Sequence, residues 1–237
     1  KDSLTDYYKK NALENHEIVV LDLPIIDKSK NTIWVSQKIS VHRNNEGKIT
    51  GYSAIMRDIT STKSAELEEK NRIERISYLN QISNNLSILN FLSFDSLESL
   101  LKHITKEAAI GLGIERVSLW ENFETYICLD NLYIQSQNAH SQKNDLKLYK
   151  ELFPNYFNAI ATTPIVIASD AANNLLTREF YQSYFIKYHI TSILDIPIYI
   201  SGNLTAILCF EATHEIKNWT NEDINFAKTV SEIIALA

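Results

Sequence analysis

Thr191-Ser-Ile-Leu-Asp-Ile-Pro-Ile-Tyr-Ile200 and Leu204-Thr-Ala-Ile-Leu-Cys-Phe-Glu-Ala212 are two apolar-rich runs joined by Ser201-Gly202-Asn203. Two such runs around a glycine turn read as an antiparallel hairpin. Side chains alternate across a strand, so one face carries Leu194, Ile196, Ile198 and Ile200 beside Leu204, Ala206, Leu208 and Phe210, with Val117 and Leu119 of an earlier strand. That face is uniformly apolar and is expected to pack on helices. The opposite face carries Ile193, Asp195, Pro197 and Tyr199, then Thr205, Ile207, Cys209 and Glu211, with Ser118 and Trp120 from the earlier strand. Carboxylates, a thiol and large rings on one face mark it as the place to look for a pocket.

Outward from the hairpin, Asp95 or Ser96 is a candidate cap for an amphipathic helix through Leu97, Leu100, Leu101, Ile104, Ala108 and Leu112, ended by Gly111-Leu-Gly113. Strands are expected at Glu115 to Trp120 and Ile127 to Gln135, the second broken by a turn at Asp130-Asn131. Asn138 to Asp145 reads as polar loop, Leu146 to Ala161 as a helix broken at Pro154, Ile165 to Ala168 as a short strand and Thr177 to Tyr188 as an aromatic-rich helix. A last helix starts at Thr220, with Asp223 three residues on as a capping-box variant, and runs to the chain end. The order is that of an α+β fold with an antiparallel sheet between helices.

Upstream, Ile59 to Leu92 contains neither glycine nor proline and reads as one helix. Its apolar positions Ile73, Ile76, Leu79, Ile82, Leu86 and Leu89 step by three or four, as in a coiled-coil seam; a stripe of this kind serves either a partner helix or intrachain packing. About 30 residues at 1.5 Å each make a rod of roughly 45 Å. Before it, Asp2 to Glu14 has helical spacing, and Ile18 to Asp22, Thr32 to Val41 and Gly51 to Thr60 read as a three-stranded antiparallel meander with a turn at Asn44 to Lys48. Thr60 or Ser61 is placed to cap the long helix.

Two families are resembled. Trp34-Val-Ser, Glu46-Gly47, Gly51-Tyr52 and above all Arg57-Asp58-Ile59-Thr60 followed by Lys63 resemble the C-terminal half of a PAS domain. The resemblance implies that Asp58, Ile59 and Thr60 end the last strand and relay a signal into the helix. Ile114 to Trp120, Ile193 to Ile198, Gly202 to Glu211 and Trp219 to Ala227 together resemble a GAF domain. The resulting layout is a truncated PAS sheet at 1–62, a signalling helix at 63–92 and a GAF domain with a six-stranded sheet at 93–237. It implies a sensory input module of a bacterial signalling protein such as a sensor histidine kinase or a diguanylate cyclase or phosphodiesterase. Its GAF pocket would be covered by the insertion between about Asn144 and His189, and candidate ligand-binding residues are Ser118, Trp120, Tyr156, Tyr181, Tyr184, Asp195, Tyr199, Cys209 and Glu211. The plainer alternative is that the aromatics form a second hydrophobic layer. Asp195 and Glu211 on one face suit a cation or a ligand amine, an acid–base pair of an enzyme if buried, or simple solvation or a backbone hydrogen bond.

Composition narrows the rest. The formal charge of −6 comes without a basic cluster, which argues against nucleic acid. No apolar run approaches the ~18 residues of a membrane span. The first residue is Lys1, so a piece of a longer protein is expected, with an output domain in cis. Cys128 and Cys209, far apart in apolar runs, fit buried thiols of a reducing cytoplasm. Five glycines leave no phosphate-cradling loop, and the six histidines show no metal-ligand spacing. Neither cysteine is followed by histidine, so covalent chromophore attachment is not expected. The expectation is a non-catalytic homodimer, paired through helices 63–92 and 220–237, with an unidentified small-molecule ligand, no assigned cofactor and no metal; the alternative is a ligand-free dimerisation scaffold.

Overall fold

A computed structural model describes residues 18–141 and 146–237. The helix expected at Asp2 to Glu14 and the end of the polar loop lie outside the described residues. The chain divides into two compact units, with the boundary between Ile73 and Glu74.

In the first unit, β1 (Ile18–Ile26), β2 (Thr32–Arg43) and β3 (Ile49–Asp58) form an antiparallel sheet in that order. Gly47, at φ 80°, supplies the left-handed residue that closes the β2–β3 turn. Helix α1 (Thr60–Ser87) follows directly. Neither Thr60 nor Ser61 caps it in the expected way. The Asp58 carboxylate accepts the amide of Thr60 at 2.8 Å, while the Thr60 hydroxyl turns back to accept the amide of Trp34 at 2.9 Å. With the amide of Ile59 donating to the Trp34 carbonyl, residues 58–60 lock the strand end to β2. Hydrogen bonding from Thr60, by its side chain first and then its amide, holds the Asp58 carboxyl below its usual range.

The second unit is built on an antiparallel sheet of β4 (Arg116–Asn122), β5 (Tyr126–Ile134), β6 (Ala139–His140), β7 (Lys147–Tyr149), β8 (Val166–Ala168), β9 (Ile190–Ile200) and β10 (Asn203–Thr213). Strands run in the order β6-β5-β4-β10-β9-β8, and β7 also pairs with β5. The expected six strands are thus seven in six lanes, because β6 and β7 pair with opposite ends of β5. The turn expected at Asp130-Asn131 is instead a bulge: Leu119 opposes Asn131 while Trp120 opposes Leu129. Asn131 is buried there and accepts a hydrogen bond from Thr105 at 2.9 Å.

Most of the apolar face of the hairpin packs as its alternation requires; Ile200, at the end of β9, is 47% exposed instead. Leu194, Ile196, Ile198, Leu208, Phe210, Val117 and Leu119 share one core with α2 (Leu97–Leu112) and α5 (Asn221–Leu236). Ser96 caps α2 and Gly113, at φ 62°, ends it; Thr220 and Asp223 form the capping box of α5. Leu79, Ile82 and Leu86 of α1 also belong to this core, so the second half of the seam-like stripe is taken by intrachain packing. The helix stops at Ser87, short of Leu92, since Asn90 caps a separate turn at Phe91–Ser93.

Gly111 sits where α2 meets Phe226 and Ile82: an added Cβ would lie 2.8 Å from Phe226 Cζ and 3.1 Å from Ile82 Cδ1. Gly111→Ala gains up to ~1 kcal/mol of helix propensity, but overpacking a filled core costs ~1–3 kcal/mol. We expect a net loss of about 1 kcal/mol, read as a lower denaturation midpoint with unchanged m-value. Next to this contact, Arg75 of α1 donates to the Gly111 carbonyl at 2.9 Å and pairs with buried Asp223 at 3.1 Å, which Lys217 also meets at 3.2 Å.

Candidate functional site

The mixed face of the sheet carries the second core and its buried polar groups. Strand register sets their neighbours. Cys209 opposes Asp195 on β9 and Ser118 on β4, and Glu211 opposes Arg116. The cover over this face comes from α3 (Pro154–Thr162), a turn at Arg178–Phe180, a π-helical turn at Tyr181–Phe185 and the short α4 (Ile186–Tyr188). The helices expected at Leu146 to Ala161 and Thr177 to Tyr188 are thus shorter and irregular. Pro154 starts a helix rather than breaking one, because its fixed φ and missing amide suit a first turn. Glu179 holds the cover together, accepting the amides of Asn155 and Tyr156 at 3.1 and 3.4 Å, where the free amides of α3 favour an anion. Phe153 stacks on Phe180 with centroids 4.1 Å apart.

Between sheet and cover, Tyr156 donates to Asp195 Oδ2 at 2.7 Å, while Asp195 Oδ1 is buried with no hydrogen-bond partner among the described residues. Burial pushes the Asp195 carboxyl up to about 7; the Tyr156 hydrogen bond opposes the rise, Glu211 adds to it, and the Cys209 thiol opposes it. Arg116 donates through Nε to Glu211 at 2.7 Å and through Nη2 to the Tyr184 hydroxyl at 3.3 Å, and its Cζ lies 4.7 Å from the centre of the Tyr188 ring. Burial alone would lower the Arg116 pKa; the Glu211 carboxylate outweighs it and the guanidinium stays charged. Burial, reinforced by the carboxylates, raises the Tyr156, Tyr184 and Cys209 groups well above their usual values. All three are neutral near pH 7, and Cys209 is therefore a poor nucleophile.

Trp120, Tyr156, Phe180, Tyr184, Phe185, Asp195, Cys209 and Glu211 line a cavity whose volume open to water centres is about 30 Å³. At ~10–15 Å³ per water, that is room for about two. Beyond Arg116 lies an open groove of about 370 Å³, lined by Leu129, Ile134, Lys187 and Tyr188 and by His189 and His214, whose rings stack 5.1 Å apart.

Of the residues singled out in the sequence, Trp120, Tyr156, Tyr184, Asp195, Cys209 and Glu211 meet at this cavity. Ser118 is fully buried behind it and accepts the indole N–H of Trp120 at 2.9 Å. Two placements need correction. Tyr181 is 42% exposed because the π-helical turn directs Tyr184 and Phe185 inward instead. Tyr199 is 44% exposed, since it lies near the end of β9 and reaches only the Ala161 carbonyl, at 3.4 Å. Arg116 was missed, although it shares strand parity with Ser118 and Trp120. Among the described residues no group of three His, Cys, Asp or Glu is placed to hold a metal.

Tyr156→Phe tests the hydrogen bond to Asp195. A bond to a charged acceptor contributes ~1.5–3 kcal/mol and one to a neutral acceptor about 1 kcal/mol. The variant is therefore expected to lose more stability at pH 8, where Asp195 is mostly ionised, than at pH 5, as measured by urea unfolding at both values.

The GAF domain profile matches residues 96–237. Among solved structures, the GAF domain of a phosphoenolpyruvate-protein phosphotransferase from Coxiella burnetii is 18% identical, with a TM-score of 0.51, over 70% of this chain and 93% of that one. The phycocyanobilin-bound GAF domain of a cyanobacterial phytochrome is 14% identical, with a TM-score of 0.53, over 68% and 92%. The GAF domain of the corresponding Acinetobacter phosphotransferase is 14% identical, with a TM-score of 0.50, over 69% and 93%. At these identities the likeness is one of fold. No curated protein gives a significant match. No described helix is long and apolar enough to cross a membrane.

Proposed function

The chain belongs to the GAF family, and from that premise we propose that its C-terminal unit is a sensory and regulatory module that binds a small molecule on the mixed face of the sheet. The observation that carries this reading is the buried polar cluster of Asp195, Tyr156, Arg116, Glu211 and Tyr184. Burying charge costs several kcal/mol per ion even after relaxation, and hydrocarbon of the same volume often packs as well or better. A purely structural layer gains nothing from these groups, whereas a recognition site needs a few polar groups among aromatic walls.

A ligand entering here would displace part of the cover, Tyr184 and Tyr188 first. Strands β4, β9 and β10 carry the site on one face and the packing of α1, α2 and α5 on the other, so a shift in the strands biases the helices. Such a bias is limited by the ligand's differential affinity for the two arrangements. We further read the first sheet as the C-terminal part of a PAS domain, with Asp58, Ile59 and Thr60 passing its state into the helix. The protein would be a cytoplasmic homodimer through residues 63–92 and 220–237, with a kinase or cyclic-dinucleotide output domain in cis. Support for the dimer is the exposure of Leu67 and Ile73 along α1. The role is regulatory rather than catalytic: Cys209 is neutral and Glu211 is engaged by Arg116.

A second reading, a dimerisation scaffold without ligand, is favoured by the cavity of about 30 Å³, which admits no metabolite unless the cover moves. Hydrogen exchange in the presence of a metabolite library separates the two. The sensor reading expects one compound to slow exchange in residues 154–162 and 178–188 and to alter α5. No compound doing so would leave the scaffold.

A further inference from the structure

The two carboxylates of the site are not equivalent. Glu211 is neutralised by Arg116 at 2.7 Å, and that guanidinium is further held by Tyr184 and Tyr188. Among the described residues Asp195 has no cationic partner: it is 4% exposed, lines the cavity, receives the Tyr156 hydroxyl on Oδ2 and lies across from the Cys209 thiol, while its Oδ1 is buried without a hydrogen-bond partner. The cavity that Asp195 lines is also walled by Trp120, Tyr156, Phe180 and Tyr184, with the Trp120 and Tyr184 rings 6.1 Å apart and the Tyr156 and Phe180 rings 4.9 Å apart. Electron-rich rings around a buried carboxylate attract a compact cation. The space is about 30 Å³, enough for a group the size of one or two waters.

From this geometry we infer that the mixed-face site takes a protonated primary amine, its ammonium group donating to Asp195 Oδ1 and resting among the four rings. The inference rests on the sensor reading above and names the chemical class of its ligand. An ammonium with three N–H donors suits one open acceptor beside π-faces. A quaternary ammonium has no donor and is too wide. A carboxylate or phosphate would meet Asp195 as a like charge. The amine's substituent would leave between the sheet and a displaced cover or not exist at all, so free ammonium and an alkylammonium head group are the two sources of the same chemistry. Because the amine binds the ionised carboxylate, its affinity should rise with pH between 6 and 8 until Asp195 is fully ionised.

Thermal unfolding of the full chain with methylammonium chloride, ammonium chloride, butylammonium chloride, tetramethylammonium chloride and sodium chloride at equal ionic strength tests this. Methylammonium is expected to raise Tm by roughly 3 °C near saturation, tetramethylammonium and sodium by nothing, and Asp195→Asn is expected to abolish the rise while folding normally. Ammonium acting without butylammonium identifies the free ion as the source; butylammonium acting equally or better identifies a head group. An equal response to tetramethylammonium, or a methylammonium response kept in Asp195→Asn, overturns the inference. If no amine acts but a neutral or anionic metabolite protects the cover from exchange, the amine assignment fails and the sensor reading stands; if nothing acts in either experiment, both fail.

Discussion

An Arg116→Ala variant is expected to lose about 3–5 kcal/mol of unfolding free energy. The reason is not the strength of the Arg116–Glu211 pair but what its loss leaves behind. Glu211 is 3% exposed, and without the guanidinium it is a buried carboxylate with no countercharge. Breaking such a pair on one side typically costs 3–5 kcal/mol, while replacing both partners by hydrocarbon is often neutral. Arg116→Met with Glu211→Leu should therefore recover most of what Arg116→Ala loses, and the double-mutant cycle should show strong coupling. Denaturant unfolding of the four proteins measures it. Arg116→Ala losing less than about 1 kcal/mol would mean that the pair is solvated and that the polar cluster is not buried as described.

The second large effect is on pH dependence. The folded-state pKa of Asp195, about 7, lies above its ordinary value of 3.8, so the folded protein holds this proton more tightly than the unfolded chain. A raised folded pKa contributes stability that is fully present below about pH 4 and is lost as pH climbs through 7. The shift spans about three pH units at 1.36 kcal/mol each, on the order of 4 kcal/mol in all. Asp195→Asn removes the titration. Relative to its effect at pH 4, the substitution should be more favourable at pH 8 by up to about 4 kcal/mol, and its stability profile between pH 4 and 7 should flatten. The groups facing Asp195 are Tyr156 and Cys209, both neutral in this window, and Glu211, which is paired with Arg116 at 2.7 Å. They leave the window to Asp195 itself. Parallel profiles for wild type and Asp195→Asn would show that Asp195 is ionised and solvated in the folded protein.

Strand alternation made the sheet legible. The parity of residues 193–200 and 204–211 separated an all-hydrocarbon face from a mixed one, and the two cores follow that division. Local signals also placed the ends of α2 and α5, since a capping box and a left-handed glycine are recognised from a few neighbouring residues. What the sequence hid was decided at long range. Asp130-Asn131 reads as a turn by composition, but Asn131 finds Thr105 26 residues away and the strand continues through a bulge. Tyr181 and Tyr184 look alike in a helical pattern, and only the π-helical turn assigns one to solvent and one to the cavity. The stripe on α1 carries no label for the surface it meets; Leu79, Ile82 and Leu86 met their own domain. Arg116 is legible by the same alternation, since it shares the parity of Ser118 and Trp120, but it stands at the first position of β4, where composition alone reads as the strand's polar edge.

The most direct measurement of the central claim uses the three tryptophans, Trp34, Trp120 and Trp219. Trp120 alone lines the cavity, with its indole N–H bonded to Ser118; Trp34 is on β2 and Trp219 lies beside Lys217. Each indole N–H gives a separate proton–nitrogen resonance. If the mixed face binds a small molecule, titration with methylammonium, or with the compound that protects the cover from exchange, will move the Trp120 resonance saturably, leave Trp34 in place, and do neither in Asp195→Asn when the ligand is the amine. A Trp120 resonance that stays fixed through the whole library, while the cover keeps its exchange rates, would contradict the account and leave the unit a scaffold.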